Sequence, residues 1–273
     1  MFNKFEARTV SGQLLAFPLD DISNGFSVQD IEGLDPVKAN LVSSSFARLD
    51  GEQYQSARRE KRNLVFKVGL EPDYVSQTTK ALRSTLYTYF MPKSQVNLRF
   101  YGAGDPTVDI VGIVESFDCP LFVKDPVATM SVICYNPDFY NPTAVVLNGN
   151  TTSSTANTTV TYGGNVDTGM LITVNVNRVM TGFTVVNQAP GGTPTKLDFV
   201  ATLQAGDVVR ISTQSGDKYA TLTRTSVQSS ILYGVSPYAD WVRFQPGTNL
   251  FRIDATGLAV PYTVTYTDKY GGL

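Results

Sequence analysis

Hydrophobic and polar residues alternate with a period of two along much of the first half of the chain. In the segment 64–70, Leu64, Phe66 and Val68 share one face, and the segments 96–100 and 130–134 repeat the pattern. Because successive side chains of a strand point to opposite sides of a sheet, this alternation is typical of strands buried on one face. The first half is therefore predicted to be rich in half-buried strands.

One segment, residues 73–90, has the spacing of a helix. Apolar residues or threonine recur there at steps of three or four, at Val75, Thr79, Leu82, Leu86 and Phe90. The spacing predicts one amphipathic helix that begins after Pro72-Asp73 and is stopped at Met91-Pro92. A single helix among strands has to pack its apolar stripe on a sheet, so the first domain is predicted to be α+β with strands predominating.

The second half is rich in threonine, asparagine, glycine and valine and contains no glutamate. Short alternating runs are separated by glycine-containing turns, and they occur at residues 172–176, 199–203, 208–211, 219–222 and 262–266. Many short strands at such spacing favour an all-β sandwich or a jelly roll. The threonine-rich stretch 148–161 is interpreted as an exposed loop or a weak edge hairpin.

The composition changes across residues 134–142, where two prolines within six residues mark an ordered connector. We therefore predict an N-terminal domain over residues 1–135, built on a sandwich-like or barrel-like sheet with one helix. An all-β sandwich follows over residues 142–262. Residues 263–273 are predicted to be a separate C-terminal strand or tail that is free to return to the first domain.

Composition also bears on chemistry. The chain has no histidine, which removes the commonest general base and the commonest transition-metal ligand. The sequence contains no Gly-x-Ser-x-Gly motif of a serine nucleophile elbow. It also contains no phosphate-binding loop motif and no clustered spacing of metal ligands. We therefore expect no enzyme activity, no catalytic residues, no metal site and no cofactor.

Cysteine usage, hydropathy and charge narrow the function further. Cys119 and Cys134 are the only cysteines and are predicted to be buried, reduced thiols. The sequence shows neither a membrane-spanning apolar run nor a secretion signal at its N-terminus. The net charge is −2, with 14 basic and 16 acidic residues up to position 135, so a nucleic-acid binder is not expected.

Several short motifs, taken in order, resemble one family. Residues 30–39 contain a Gly-Leu-Asp-Pro turn, residues 49–54 a Leu-Asp-Gly hairpin, and residues 62–64 an Arg-Asn pair that opens a strand. The ending, with Trp-Val-Arg-Phe-Gln-Pro-Gly-Thr-Asn at 241–249 and Tyr-Gly-Gly-Leu at 270–273, fits as well. Together they resemble the distal tail (Dit) family of long-tailed, non-contractile phages. Each motif alone indicates only a turn or a strand start.

The resemblance implies a structural protein of the virion at the phage tail tip, assembled in the host cytoplasm. It implies a homo-oligomer, a ring of six copies in which first domains form a channel that DNA only passes through. It also implies a second domain similar to galectins or carbohydrate-binding modules. The implied partners are the tail-tube protein, the tail-tip hub or central fibre protein and, further out, receptor-binding proteins, with no membrane partner.

A closed ring needs an interface between two different surfaces of adjacent copies. We predict this interface in the turn-rich segment 33–54 and the basic run 58–62, although a solvated loop is an equally good interpretation of the basic run. The candidate interface residues are Gly33, Leu34, Asp35, Pro36, Asp50, Gly51, Tyr54, Arg58, Arg59, Lys61 and Arg62.

Three other functions stay open. A carbohydrate-binding module would need exposed aromatic residues with planar polar groups nearby, for which the candidates are Tyr219, Tyr233, Tyr238 and Trp241. A tail-tube protein is also β-rich and hexameric, but the large second half fits it less well. A wall-degrading hydrolase would need two carboxylates across a cleft, and the adjacent pair Asp20 and Asp21 would point to opposite faces of a strand.

Overall fold

The computed structural model describes residues 2–48, 50–102, 104, 106–120 and 122–273. The chain divides into two compact units. The first comprises Met1–Pro142 together with Gly271–Leu273, and the second comprises Thr143–Tyr270.

The first unit contains ten strands and one helix among the described residues. They are β1 (Phe2–Thr9), β2 (Leu14–Pro18), β3 (Phe26–Glu32), β4 (Ala39–Ser44), β5 (Gln53–Arg59), β6 (Arg62–Leu70), α1 (Thr79–Phe90), β7 (Gln95–Gly102), β8 (Val108–Asp118), β9 (Val127–Cys134) and β10 (Phe139–Tyr140). β4 and β5 pair with each other in a separate two-stranded sheet.

The main sheet of this unit is antiparallel and strongly curled. Its strand order is β2-β1-β7-β8-β9-β6-β3, with β10 pairing beside β8. The two edge strands approach each other, since the rings of Phe17 on β2 and Phe26 on β3 have centroids 5.4 Å apart. Nearby, Asn24 Nδ2 donates to the carbonyl oxygen of Ala16 at 2.8 Å. Side chains thus bridge the seam of a barrel-like sheet, as predicted.

The helix packs on this sheet with one narrow stripe. Leu82, Leu86 and Phe90 recur at intervals of four and are buried, and the Phe90 ring lies 6.2 Å from Phe17. The helix begins at Thr79 because the Thr78 side chain caps it by accepting from the Ala81 N–H at 3.2 Å. The predicted start directly after Asp73 is therefore wrong.

The residues ahead of the helix form a turn organised by Asp73. Its Oδ1 accepts from the backbone N–H groups of Val75, Ser76 and Gln77 at 2.8 to 3.0 Å. These bonds hold the backbone outside the helical path, so the Val75 side chain is 94% exposed and not part of the apolar stripe. The hydrogen bonds from Asp73 to its neighbours therefore decide the local structure here, although the apolar spacing is that of a helix.

The second unit contains eleven strands. They are β11 (Val145–Asn150), β12 (Thr158–Tyr162), β13 (Leu171–Asn175), β14 (Met180–Gln188), β15 (Pro194–Leu203), β16 (Val208–Gln214), β17 (Asp217–Arg224), β18 (Val227–Ser230), β19 (Gly247–Asp254), β20 (Pro261–Tyr266) and β21 (Lys269–Tyr270). A 3-10 turn, Leu232–Gly234, follows β18.

Two sheets of this unit form a sandwich. One has the order β11-β20-β13-β16-β17-β18 and the other β12-β19-β14-β15. The apolar core lies between them, with Ile172 and Val264 from the first sheet and Val185 and Phe251 from the second. This arrangement confirms the predicted all-β sandwich. The likeness to galectins in particular stays a prediction.

Two sequence-based boundaries in this half are corrected. The stretch 148–161 is not a hairpin, because β11 and β12 belong to different sheets and pair with β20 and β19. The predicted exposed loop is limited to the connection between these strands, at residues 151–157, of which 153–157 are exposed. Residues 263–266 are not part of a separate tail, because β20 pairs with β11 and β13 and buries Val264 in the sandwich core. Only Gly271–Leu273 group with the first unit.

The two cysteines are buried and free. Asp118 on β8 lies opposite Thr129 on β9, so the register leads from Cys119 towards Ala128 and away from Cys134. Burial raises the pKa of the Cys134 thiol to about 12, which keeps it protonated at neutral pH. In the described part of the chain, no helix has the length and hydropathy needed to cross a membrane.

Candidate assembly surface

The β4-β5 hairpin packs little against the rest of the first unit. Its strands pair from Ala39 opposite Arg59 to Ser44 opposite Gln53, with a bulge after Val42. Every residue of β5 is exposed, and so is β4 apart from Ser44. Among the described residues, no other strand pairs with either of them. Both outer backbone edges of the hairpin are therefore open.

Large apolar side chains accompany these open edges. Leu41 is 69% exposed, Phe46 52% and Tyr54 63%. A two-stranded hairpin with no hydrophobic face packed on anything is only marginally stable in water. A second surface that covers these side chains would remove the cost of exposing them.

Polar contacts fix the form of the hairpin. Ser43 Oγ donates to Glu52, and Gln55 Nε2 donates to Ser44 Oγ at 3.0 Å. In the loop, Gly51 has a φ of +90°, which glycine adopts without a steric penalty. Asp50 and Gly51 thus lie in the hairpin loop that the sequence predicts, while Leu49 lies outside the described residues.

Arg62, a predicted interface residue, is buried, with 1% of its surface exposed. Its Nε donates to the carbonyl oxygen of Pro137 at 2.8 Å and its Nη2 to that of Gly271 at 2.6 Å. Its Nη1 donates to the carbonyl oxygens of Gly33 and Asp35. Arg62 is therefore not available to a partner, and its assignment to the interface is wrong. Burial lowers the pKa of its guanidinium.

The loop at residues 33–36 depends on this arginine for its position. Gly33 has a φ of +90°, and a Cβ there would collide with the carbonyl oxygen of Asn63. Leu34 accepts a hydrogen bond from the Leu273 N–H at 3.1 Å. Asp35 and Pro36 remain exposed on the outside of the loop. The loop thus enters the hairpin from a fixed anchor.

The rest of the basic run divides in two. Arg59 pairs through both terminal guanidinium nitrogens, Nη1 and Nη2, with the buried carboxylate of Asp138, with Nη2 at 2.9 Å from Oδ2. Arg58 and Lys61 are exposed beside Glu60 in a shallow depression next to Asn40. Two of the four predicted basic residues therefore hold the hairpin base, and two face solvent.

The four aromatic candidates for a glycan platform do not form one surface. Tyr233, in the 3-10 turn, and Tyr238, in the following loop, are 82% and 96% exposed. Tyr219 on β17 and Trp241 are half-buried. Trp241 lines a depression in the second unit, and the other three do not. Within the described chain, no ring contact joins any two of the four.

The sequence gives little indication of the exposed apolar residues on the hairpin. Leu41 and Val42 have the residue types of an ordinary half-buried strand, and only the tertiary structure leaves them uncovered. Asn187 is the opposite case, a polar residue that the sandwich buries. The local evidence that points to the hairpin region is the turn signals around Gly33 and Gly51 and the basic run 58–62.

Comparison with known proteins bears on both units. Residues 163–270 match the family model described as the siphovirus-type tail component, C-terminal domain. The matched residues lie within the second unit, which is thus similar to this tail-component domain. A search of curated proteins finds no match. The predicted resemblance to the distal tail family is confirmed, and the family is structural and not enzymatic.

Solved structures extend the likeness beyond this domain. The Dit protein of phage SPP1, titled a paradigm of the hub adsorption apparatus in Gram-positive infecting phages, is 19% identical. The alignment covers 97% of this chain and 98% of that one, with a TM-score of 0.70, which shows a shared fold. A chain of the phage P2 baseplate in its activated conformation with Ca aligns over 100% of both chains at 8% identity and a TM-score of 0.45.

Proposed function

We propose that the protein assembles into a closed ring, of six copies, at the distal end of a siphophage tail tube. In this position the ring connects the tube to the tail tip, its central fibre protein and the receptor-binding proteins. The likeness in fold to a hub protein supports this position in the tail. Assembly takes place in the host cytoplasm, and DNA passes through the central channel without being bound.

The exposed β4-β5 hairpin is the observation that carries the proposal. Its open edges and its uncovered Leu41 and Tyr54 suit a surface that is buried by the next copy. Ring closure requires a hairpin from each copy to meet a different surface on its neighbour, which gives every copy the same pair of contacts. Strand pairing at an open edge supplies backbone hydrogen bonds, and the apolar side chains add burial.

Charge at the hairpin base is consistent with the same arrangement. Arg58 and Lys61 remain free of carboxylate partners among the described residues, next to Arg59, which is paired with Asp138. An acidic patch on the neighbouring copy would complement them and orient the encounter. The predicted interface residues other than Arg62 thus stay part of the proposal.

Light scattering across a concentration series, followed by negative-stain imaging, tests the proposal. We expect rings of about six copies with a central hole, singly or in stacked pairs. The double variant Leu41→Asp, Tyr54→Asp should shift the mass to that of a monomer. The control variant Tyr233→Asp, which changes an exposed aromatic residue in the second unit, should leave the rings intact.

Other outcomes would overturn the proposal. A wild-type protein that stays monomeric at high concentration would exclude self-assembly into a ring. Rings that persist in the double variant would show that the hairpin is not the interface. Long polymers in place of rings would favour the alternative function of a tail-tube protein.

A further inference from the structure

Three loops of the first unit lie side by side at one end of β6. They are the loop before β3, the loop after β6 and the described part of the loop between β8 and β9, at residues 19–25, 71–78, 119–120 and 122–126. The backbone N–H of Leu70 donates to the carbonyl oxygen of Pro126 at 3.0 Å. The backbone N–H of Glu71 donates to the carbonyl oxygen of Gly25 at 2.9 Å. These bonds hold the three loops, here called the loop cluster, next to one another.

The loop cluster exposes large apolar side chains, as the β4-β5 hairpin does. Each of the three loops contributes at least one, and the exposed fractions are 56% for Ile22, 74% for Tyr74, 94% for Val75, 99% for Phe122 and 53% for Val123. Apolar side chains that are exposed together on a soluble protein indicate an interaction surface. A partner that covers the loop cluster would remove this apolar surface from water.

The loop at 71–78 presents its apolar side chains in a fixed conformation. Tyr74 has a φ of +57°, in the left-handed region, which residues other than glycine seldom adopt. The backbone N–H groups that donate to Asp73 Oδ1 hold the turn in this conformation. A surface that is already ordered loses little conformational entropy when a partner binds. Tyr74 and Val75 are thus placed for contact before a partner arrives.

The charge of the loop cluster indicates the chemistry of that partner. The three loops carry five carboxylates and one ammonium group, a net charge of −4, from Asp20, Asp21, Glu71, Asp73, Asp125 and Lys124. Glu71 and Asp125 are exposed and have no ion-pair partner among the described residues. Two loop clusters placed face to face would repel each other. The partner surface should therefore combine basic and apolar side chains.

The β4-β5 hairpin has this combination. Its base exposes three cations next to one exposed carboxylate, namely Lys38, Arg58, Lys61 and Glu60. Leu41 and Tyr54 supply exposed apolar side chains on the same hairpin. Positive charge beside apolar side chains on the hairpin thus matches negative charge beside apolar side chains on the loop cluster.

The hairpin base and the loop cluster lie at opposite ends of β6. The hairpin leads into β6 at Arg62, and the loop cluster begins where β6 ends at Leu70. At a rise of about 3.3 Å per residue, β6 keeps these ends about 26 Å apart. The basic hairpin base is therefore held away from the loop cluster of its own copy. The two surfaces are free to meet head to tail between copies, which is the kind of contact that a closed ring repeats.

We propose that the loop cluster receives the β4-β5 hairpin of the adjacent copy. In this contact Arg58 and Lys61 lie against Glu71 and Asp125, and the apolar side chains of both surfaces are buried together. The inference rests on the proposed ring and adds the second surface of each contact in it.

Charge reversal tests this contact. Glu71→Lys with Asp125→Lys should raise the protein concentration at which half of the chains are in rings by at least about tenfold, because like charges then face each other. Arg58→Glu with Lys61→Glu should have the same effect. All four substitutions in one chain should bring this concentration back to within about threefold of the wild type. Light scattering over a concentration series at about 0.1 M NaCl, where charges are only partly screened, measures it.

A mixture of two defective copies tests the head-to-tail geometry. Val75→Asp with Phe122→Asp disables the loop cluster and leaves the hairpin intact. Leu41→Asp with Tyr54→Asp disables the hairpin and leaves the loop cluster intact. Each of these proteins alone should be monomeric. Their mixture should contain pairs of copies but no rings, because only one intact contact can form.

A matched control reverses two exposed carboxylates in the second unit, Asp217→Lys with Asp240→Lys, and should leave the rings intact. Circular dichroism checks that each variant keeps the thermal transition of the wild type. Normal rings in the loop-cluster variants, together with a loss of rings in the hairpin variants, would overturn this inference and leave the ring proposal standing. Four substitutions that fail to restore rings would overturn the pairing of these charges. A wild-type protein that never forms rings would overturn both proposals.

Discussion

The guanidinium of Arg62 lies over the ring of Phe139, 4.4 Å from its centroid. The ring covers one face of a cation that donates four hydrogen bonds, each to a backbone carbonyl oxygen and not to a carboxylate. The arginine thus satisfies carbonyl groups from three distant segments, at residues 33–35, 137 and 271. A flexible ammonium or an apolar side chain could not replace this planar fork of donors.

The substitution Arg62→Met should destabilise the first unit. It leaves buried carbonyl oxygens without donors, and we expect a loss of about 3 kcal/mol in the free energy of unfolding. Urea denaturation measures the change. Arg58→Met, which alters an exposed arginine on β5, should change the same free energy by less than about 0.5 kcal/mol. Equal effects of the two substitutions would contradict the anchoring role.

Two glycines with the same φ should respond differently to substitution by alanine. Gly33 and Gly51 both have a φ of +90°, but only at Gly33 would the added Cβ meet the Asn63 carbonyl oxygen. We expect Gly51→Ala to cost about 1 kcal/mol through backbone strain alone. Gly33→Ala should cost at least about 2 kcal/mol more, because the loop has to move. Thermal unfolding of both variants measures the difference.

A smaller penalty at Gly33 than at Gly51 would show that the 33–36 loop is not held against β6. Circular dichroism at 25 °C provides the control for the native fold of each variant. The light-scattering mass of each variant then separates a loss of stability from a loss of assembly.

Acid should remove the contribution of the Asp73 carboxylate to the stability of the folded protein. Hydrogen bonds from Ser76 and from the following backbone N–H groups lower the pKa of Asp73 from its ordinary 3.8 to about 2. A lowered pKa in the folded state stabilises the protein above pH 4, and this stabilisation is lost as the pH falls from 4 towards 2. The melting temperature of Asp73→Ala should therefore lie below that of the wild type at pH 7 and converge with it in this window.

Asp73→Asn separates charge from hydrogen bonding in the same experiment. Its neutral oxygen can still accept from the turn, so its melting temperature should show no step between pH 4 and 2 beyond that of other groups. A gap between the wild type and Asp73→Ala that stays constant down to pH 2 would rule out the titration of this carboxylate.

Much of the fold could be predicted because its determinants are local. The alternation on β6 and the spacing of Leu82, Leu86 and Phe90 reflect which side chains face a core, and both are confirmed. The start of α1 could not be predicted from that spacing, because Val75 fits the helical period but Asp73 ties the backbone into a turn. A hydrogen bond between neighbours decides this boundary.

The candidate surface was less predictable because exposure is a property of the whole unit. Arg62 belongs to a basic run in the sequence, yet the carbonyl groups that bury it come from residues far away in the chain. Likewise, the rings of Tyr238 and Trp241 are three residues apart, and only Trp241 lines the depression. The positions of these residues in the sequence therefore do not show which side chains the fold buries or exposes.

The exposed hairpin also has an evolutionary consequence. Since its side chains contribute almost nothing to the packed barrel, substitutions there escape the stability threshold that limits change in residues such as Phe66. Only the surface that receives the hairpin would restrict its sequence. Among descendants of this protein, the hairpin and its receiving surface should therefore diverge together and faster than the barrel, so that rings of separate lineages stop accepting each other's subunits.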